Sequence, residues 1–243
     1  MQNAENAPKI AIFCWEESTV PRGLVQLEAL TGNATNPASY PFPVRLCRIE
    51  GANVETVLEN PNREVLTRMI GKARGLVSEG IKALTTSCGF NAIFQRELAE
   101  ALDIPVFTSS LLQVPYLHSV LPESKSIAVI TAKKAALKKE HLKAVGITED
   151  MKITVLGMEE SPEWNKIFSS PREDVDINVI ASEVLATAKN AVKNSPEIGG
   201  YVMECTDLPP FSQAVREATG KPVLDFITMM RSIAGSIGVI KIN

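Results

Sequence analysis

A chain of 243 residues, 45% of them hydrophobic, carries enough apolar material for one large core or two domains of ordinary size. Its 25 basic and 28 acidic residues are dispersed, and a net charge of −3 excludes nucleic acid and an anionic membrane as the main partner. Cys14, Cys47, Cys88 and Cys205 form neither a CxxC pair nor a zinc-site spacing, so no metal is expected, and free thiols in a reducing compartment are.

The first residues, MQNAENAPKI, are polar and lack the apolar stretch of a secretion signal. The apolar runs fall short of the roughly 20 residues of a membrane span, and a cytoplasmic protein is the expectation. KIAIFC (9–14) is a short apolar run, as in a buried parallel strand. TGNATNPASYPFP (31–43) reads as a long loop able to cover a site. Val65, Leu66, Met69, Ile70, Ala73, Leu76 and Val77 make one helical face, and Gly80 follows as a stop. IKALTTS is a strand ending at Cys88; Ile93, Phe94, Leu98, Ala101 and Leu102 give the next helix, and IPVF (104–107) the next strand.

The alternation then starts again. SIAVIT (126–131) is a strand, KKAALKKEHLK (133–143) a solvated basic face, and EESPEWNKIFSSPRED (159–174) a second irregular segment, equivalent in place to the first. Ile177, Ile180, Ala181, Val184, Leu185, Ala188, Ala191 and Val192 form a helical face. GGYVMEC is a strand ending at Cys205, and Pro209 and Pro210 suit the first turn of the helix after it. His118 and His141 lie in helical patterns away from these corners, in structural or surface roles. Cys14 suits a pocket wall and Cys47 a strand or core position.

Subtracting 88 from 205 gives 117, and that shift superposes KIAIFC on SIAVIT, Phe94 on Phe211, Ala101 on Ala218 and Pro105 on Pro222. The pattern implies a duplicated α/β unit: two pseudo-symmetric flavodoxin-like domains, each a parallel sheet flanked by helices, with a cleft between them. The expected division is 1–115 and 116–224, with a C-terminal helix, about 225–243, joining the first domain.

Both cysteines stand where a strand turns into a helix, the edge at which open α/β sheets bind ligands. Backbone N–H groups and the helix dipole there are expected to lower a thiol pKa and to hold a carboxylate. Around Cys88 stand Thr85, Thr86, Ser87, Gly89 and Asn91; around Cys205 stand Glu204, Thr206 and Asp207. Two thiols facing across a cleft can take a proton from one side of a carbon and return it on the other, with no cofactor. A two-domain protein that only binds a small carboxylate is the non-enzymatic alternative.

At ECTDLPPF (204–211) the chain resembles the aspartate/glutamate racemase superfamily, whose amino-acid racemases carry a Gly-Cys-Thr-Glu-Leu-Pro pattern. The resemblance covers nearly the whole chain. It implies a cofactor-independent isomerase, a racemase or epimerase of amino-acid/carboxylate type, and a homo-oligomer. Cys88 and Cys205 would be its acid/base pair, Thr206 a carboxylate ligand and Asp207 a group tuning the thiol. The first motif departs from the family's Cys-Asn-Thr, since Gly89 and Phe90 follow Cys88; Thr85, Thr86 and Ser87 would then serve as ligands. Thr131 ends a strand where the family places a hydroxyl, and Glu16 or Glu17 would contact substrate. The departure tilts the expected substrate toward a diacid, another carboxylate or a hydantoin-like ring, because hydroxyl donors outnumber acceptors. Maleate-isomerase-like and decarboxylase-like enzymes of the same superfamily stay open, although the pair of cysteines speaks against the second.

Overall fold

A computed structural model describes residues 7–240; the polar start at 1–6 and the last three residues lie outside the described residues. In chain order the elements are β1 (Ile10–Cys14), α1 (Arg22–Glu28), β2 (Val44–Arg48), α2 (Arg63–Ser78), β3 (Ala83–Thr86), α3 (Gln95–Ala101), β4 (Val106–Phe107) and α4 (Gln113–Val120). There follow β5 (Ser126–Thr131), α5 (Lys139–Ala144), β6 (Ile153–Gly157), α6 (Pro162–Ser169), α7 (Ile177–Asn194), β7 (Ile198–Met203), α8 (Ser212–Thr219), β8 (Val223–Leu224) and α9 (Phe226–Ser236). Two four-stranded sheets result, ordered β2-β1-β3-β4 and β6-β5-β7-β8, with every pairing parallel. The central strands β1, β5 and β7 are buried throughout, which is why they read as unbroken apolar runs.

The long helices start where capping chemistry places them. Asn62 accepts from Glu64 N–H ahead of α2, and Asp176 accepts from Asn178 and Val179 N–H ahead of α7. Each turns one apolar stripe to its sheet, led by Val65, Met69 and Leu76 in α2 and by Ile180, Val184 and Ala188 in α7. The helices that end the two halves cross over. Val114 and Leu117 of α4 pack with Ile127, Val129 and Val202 of the second sheet. Phe226, Met229, Met230 and Ile233 of α9 pack with Ile10, Ile12 and Ala83 of the first.

Residues 159–174 are not an irregular segment, because α6 occupies 162–169. Pro162 sits in its first turn, where it breaks nothing, and the Glu183 carboxylate accepts from the N–H groups of Glu163 and Trp164, both at 2.9 Å. Trp164 is fully buried and donates its indole N–H to Ala132 O at 3.2 Å. Nor is this segment equivalent to 31–43: the first loop precedes the second strand of its sheet, whereas α6 follows the second strand of the other. The basic stretch 133–143 is likewise only partly solvated, since Ala136 and His141 are buried and the His141 ring meets Phe90 edge-on.

Candidate active site

The two cysteine corners touch. After β3 the chain turns at Ser87 and Cys88 into a 3-10 turn over Gly89–Phe94. After β7 it turns at Glu204 and Cys205, with a 3-10 turn at Pro209–Phe211. Thr206 Oγ1 donates to the carbonyl of Ser87, and Gly89 lies directly against Glu204. Ser110, leading into α4, donates to Met203 O at 2.6 Å and ties the second corner to the first half.

A narrow cleft opens at this junction. Of the residues singled out from the sequence, Ser87, Cys88, Gly89, Cys205, Thr206 and Asp207 stand in its wall. Glu16, Thr86, Asn91 and Thr131 do not. Glu16 accepts from Gly51 N–H at 2.9 Å, and Thr86 donates to Thr108 O at 2.7 Å from inside the sheet. Thr131 donates to Glu204 Oε2 at 2.7 Å, and Asn91 is buried with its Oδ1 unpartnered. Glu17 is exposed.

The remaining wall includes Trp15, Phe90 and Phe168, the aliphatic Leu24 and Leu58, and the carboxyls of Glu28 and Glu204. Among the described residues lining it there is no lysine, arginine or histidine. Trp15 had a visible signal, since it follows β1 at the ligand-binding end of the sheet. Successive side chains of an extended chain face opposite ways, so Trp15 enters the cleft and its neighbour Glu16 does not. Glu28 and Phe168 end helices whose wall-forming ends no local pattern marks.

The expectation of a donor-rich pocket fails on hydrogen-bond accounting for its threonines, and only Ser87 of the expected hydroxyls stands in the wall with its hydrogen ungiven among the described contacts. A hydroxyl has one hydrogen, and those of Thr85, Thr86, Thr131 and Thr206 are all given to protein acceptors. What the cleft presents is thiols, aromatic rings, three carboxyls and the Ser87 hydroxyl.

Burial, with those carboxyls second, reverses the expected effect on the thiols. Burial, followed by the neighbouring Glu204, pushes Cys88 well above its ordinary value, while Phe90 N–H and the Trp15 indole work the other way. Burial, followed by Asp207 and then Glu204, does the same to Cys205. Short 3-10 turns at the corners supply less dipole than a full α-helix would. Glu204 and Asp207 are themselves raised by burial, each to about 7. Glu28 is raised too, by burial, although Arg48 lies 3.7 Å behind it. Cys205 Sγ sits 3.6 Å from Asp207 Oδ2, so this thiol has a proton acceptor in reach. Burial and the carboxyls thus favour the thiol form of both cysteines, and a positive charge in the cleft would work against that.

No family model matches the chain. It is 30% identical over 215 residues to a protein named dimethylsulfoniopropionate lyase from Durusdinium sp. clade D, covering 84% of this chain and 71% of that one. It is 33% identical over 215 residues to dimethylsulfoniopropionate lyase 3 of Emiliania huxleyi, covering 85% of this chain and 56% of that one. The crystal structure of an allantoin racemase from Pseudomonas fluorescens superposes with a TM-score of 0.61 at 16% identity, over 95% of this chain and 91% of that one. At that identity the likeness is one of fold, and the fold is that of the aspartate/glutamate racemase superfamily. The curated relatives carry the name of a lyase, and this overturns the expectation of a racemase or other isomerase. Of the readings set out from the sequence, the decarboxylase-like alternative, against which the pair of cysteines speaks in the sequence, is nearer to a lyase than the racemase is.

Proposed function

The chain belongs to the dimethylsulfoniopropionate lyase family, and we propose that it eliminates dimethyl sulfide from a 3-(dimethylsulfonio)propionate zwitterion, leaving acrylate. The observation that carries this is a cleft walled by two thiols, three carboxyls and three aromatic rings with no basic side chain described among them. A sulfonium cation is favoured by carboxylates and by aromatic faces, and disfavoured by lysine or arginine.

The reaction removes a proton from the carbon next to the carboxylate and breaks the bond between the next carbon and sulfur. Cys205 gives its proton to Asp207 and, as thiolate, takes the C2 proton. The C2–H electron pair forms the C2–C3 double bond, and the C3–S pair leaves with sulfur as neutral dimethyl sulfide. This leaving group needs no protonation, so one base suffices where a racemase needs two. Substrate charge also assists: a cation between Glu28, Glu204 and Asp207 offsets their negative field and favours the thiolate over the thiol. Trp15, whose Nε1 lacks a hydrogen-bond partner, the Ser87 hydroxyl and the first N–H groups of the Gly89–Phe94 turn are the donors left for the substrate carboxylate, since the second turn opens on Pro209 and Pro210, which have no N–H.

The test is direct. Incubation of the chain with dimethylsulfoniopropionate should release dimethyl sulfide, read in the headspace, and an equal amount of acrylate, read by proton NMR. Exchange of the C2 protons for deuterium without release of either product would count against the proposal, as would the absence of any reaction.

A further inference from the structure

The loop between α1 and β2 meets the second cysteine corner through Ala34 N–H, which donates to Thr206 O at 3.3 Å, and through one side chain. Asn33 is fully buried, and its Oδ1 accepts from Thr35 N–H at 2.9 Å and from Thr35 Oγ1 at 3.0 Å. A backbone N–H can only donate, so the oxygen of this amide is fixed on Thr35 and its nitrogen is turned the other way. That nitrogen donates to Asp207 Oδ1 at 2.8 Å. The second oxygen of the same carboxyl, Oδ2, faces Cys205 Sγ at 3.6 Å. The loop is pinned from its far side by Ser39, whose Oγ accepts from Gly32 N–H and donates to Asn33 O, both at 2.8 Å.

We propose that Asn33 is a positioning residue for the elimination: its amide holds Asp207 with one carboxylate oxygen aimed at the Cys205 thiol, ready to receive the thiol proton. This rests on reading Cys205 as the base. In the step the S–H bond breaks, the proton passes to Asp207 Oδ2, and a thiolate remains facing the cleft. The other groups around Asp207 cannot replace the amide. Glu204 precedes it on its own corner, Cys88 faces it from the first corner, and Glu28 approaches from α1 with Arg48 of β2 behind. All but Arg48 are acids or thiols, and Arg48 is paired with Glu28 rather than with Asp207. The Asn33 hydrogen bond therefore favours the ionised form of Asp207 against burial and against Glu28.

Three variants test this in the full chain. Asn33→Asp keeps the shape and the acceptor for Thr35 but replaces the donor by a like charge; Asn33→Ala removes the group; Ser39→Ala loosens the same loop without touching Asp207. Two readouts are compared across pH 5–10: the rate of alkylation of Cys205 by iodoacetamide, whose midpoint near neutral pH follows the titration of Asp207, read by peptide mass spectrometry, and release of dimethyl sulfide. Asn33→Ala should move the alkylation midpoint and the acidic limb of the rate upward by about one pH unit, lowering kcat at pH 7 about tenfold with KM little changed. Asn33→Asp should shift both further, and Ser39→Ala, which frees a backbone tether of Asn33 but leaves its amide, should shift both by clearly less than Asn33→Ala. A uniform loss at every pH with unmoved midpoints, or an equal shift in Ser39→Ala, would overturn the assignment. The alkylation readout needs no substrate, so it decides the role of Asn33 even if the chain releases no dimethyl sulfide.

Discussion

Gly89 and Glu204, one from each cysteine corner, are packed so closely that no side chain fits between them. A Cβ on Gly89 would stand 2.7 Å from Glu204 Cδ, and nearer still to its Oε1 and its backbone oxygen. The glycine is needed for space, because its φ is outside the left-handed region. Gly89→Ala should push the corners apart, cost about 1–3 kcal/mol as overpacking does, and lower turnover at least a hundredfold. Thermal unfolding and a dimethyl sulfide assay check both. A variant with unaltered turnover would show that the spacing of the corners does not matter.

The two cysteines should not be equivalent. Cys205 is hydrogen-bonded to a carboxylate, whereas Cys88 feels Glu204 without a hydrogen bond to it among the described contacts, and an elimination needs a single base. Cys205→Ser should lose about 10³-fold in kcat, within the range expected of a general base, because a serine hydroxyl is a far weaker acid. Cys88→Ser should lose about tenfold, through the fit of the cleft. Equal loss in both variants would point to a reaction with two proton-transferring groups.

Activity and stability should run in opposite directions with pH. Glu204 and Asp207, each raised to about 7 in the fold, hold protons that the unfolded chain has already released. Their contribution to stability is therefore full at acid pH and is lost as pH rises through about 7. For Glu204 alone the loss is on the order of 3 kcal/mol. Urea unfolding at pH 5 and at pH 8 should show the wild type weaker at pH 8, and Glu204→Gln should shrink that difference. The release rate should rise over the same interval, as Asp207 becomes able to accept a proton.

Glu28 meets the cleft from α1 with Arg48 behind it. If it faces the cationic end of the substrate, Glu28→Gln should raise KM about tenfold and change kcat less. The uncharged thioether, 3-(methylthio)propionate, should inhibit the wild type weakly and Glu28→Gln about equally. An inhibition constant for the thioether that worsens in step with KM would assign Glu28 to shape rather than to charge.

The strands and long helices were legible because their signals are local. Ile10–Cys14 and Ser126–Thr131 are buried on both faces, and Asn62 and Asp176 cap the two long helices within two or three residues. The common offset of 117 holds at β4 and β8 but not at β2 and β6, which lie 109 residues apart, because the first half carries the longer loop ahead of its second strand. That loop delivers Asn33 to Asp207 across 174 residues, and no periodicity announces such a contact. The hydroxyls misled for a related reason. A threonine beside a cysteine reads as a free donor until its acceptor is seen, and for Thr85, Thr86, Thr131 and Thr206 the acceptors lie 22, 22, 73 and 119 residues away.

The crossed packing of α4 and α9 makes each half a lender and a borrower. A chain cut between α4 and β5 would yield two fragments, of which the first carries the helix that covers the second sheet and the second carries the helix that covers the first. Neither fragment could seal its own apolar face, but two copies of a single such unit could seal each other's by mutual exchange. A symmetric pair of single units linked in this way would already hold two thiols at one junction. Fusing the pair into one polypeptide then lets the two corners diverge, so that one keeps a carboxylate beside its thiol and the other keeps a glycine to let that corner in.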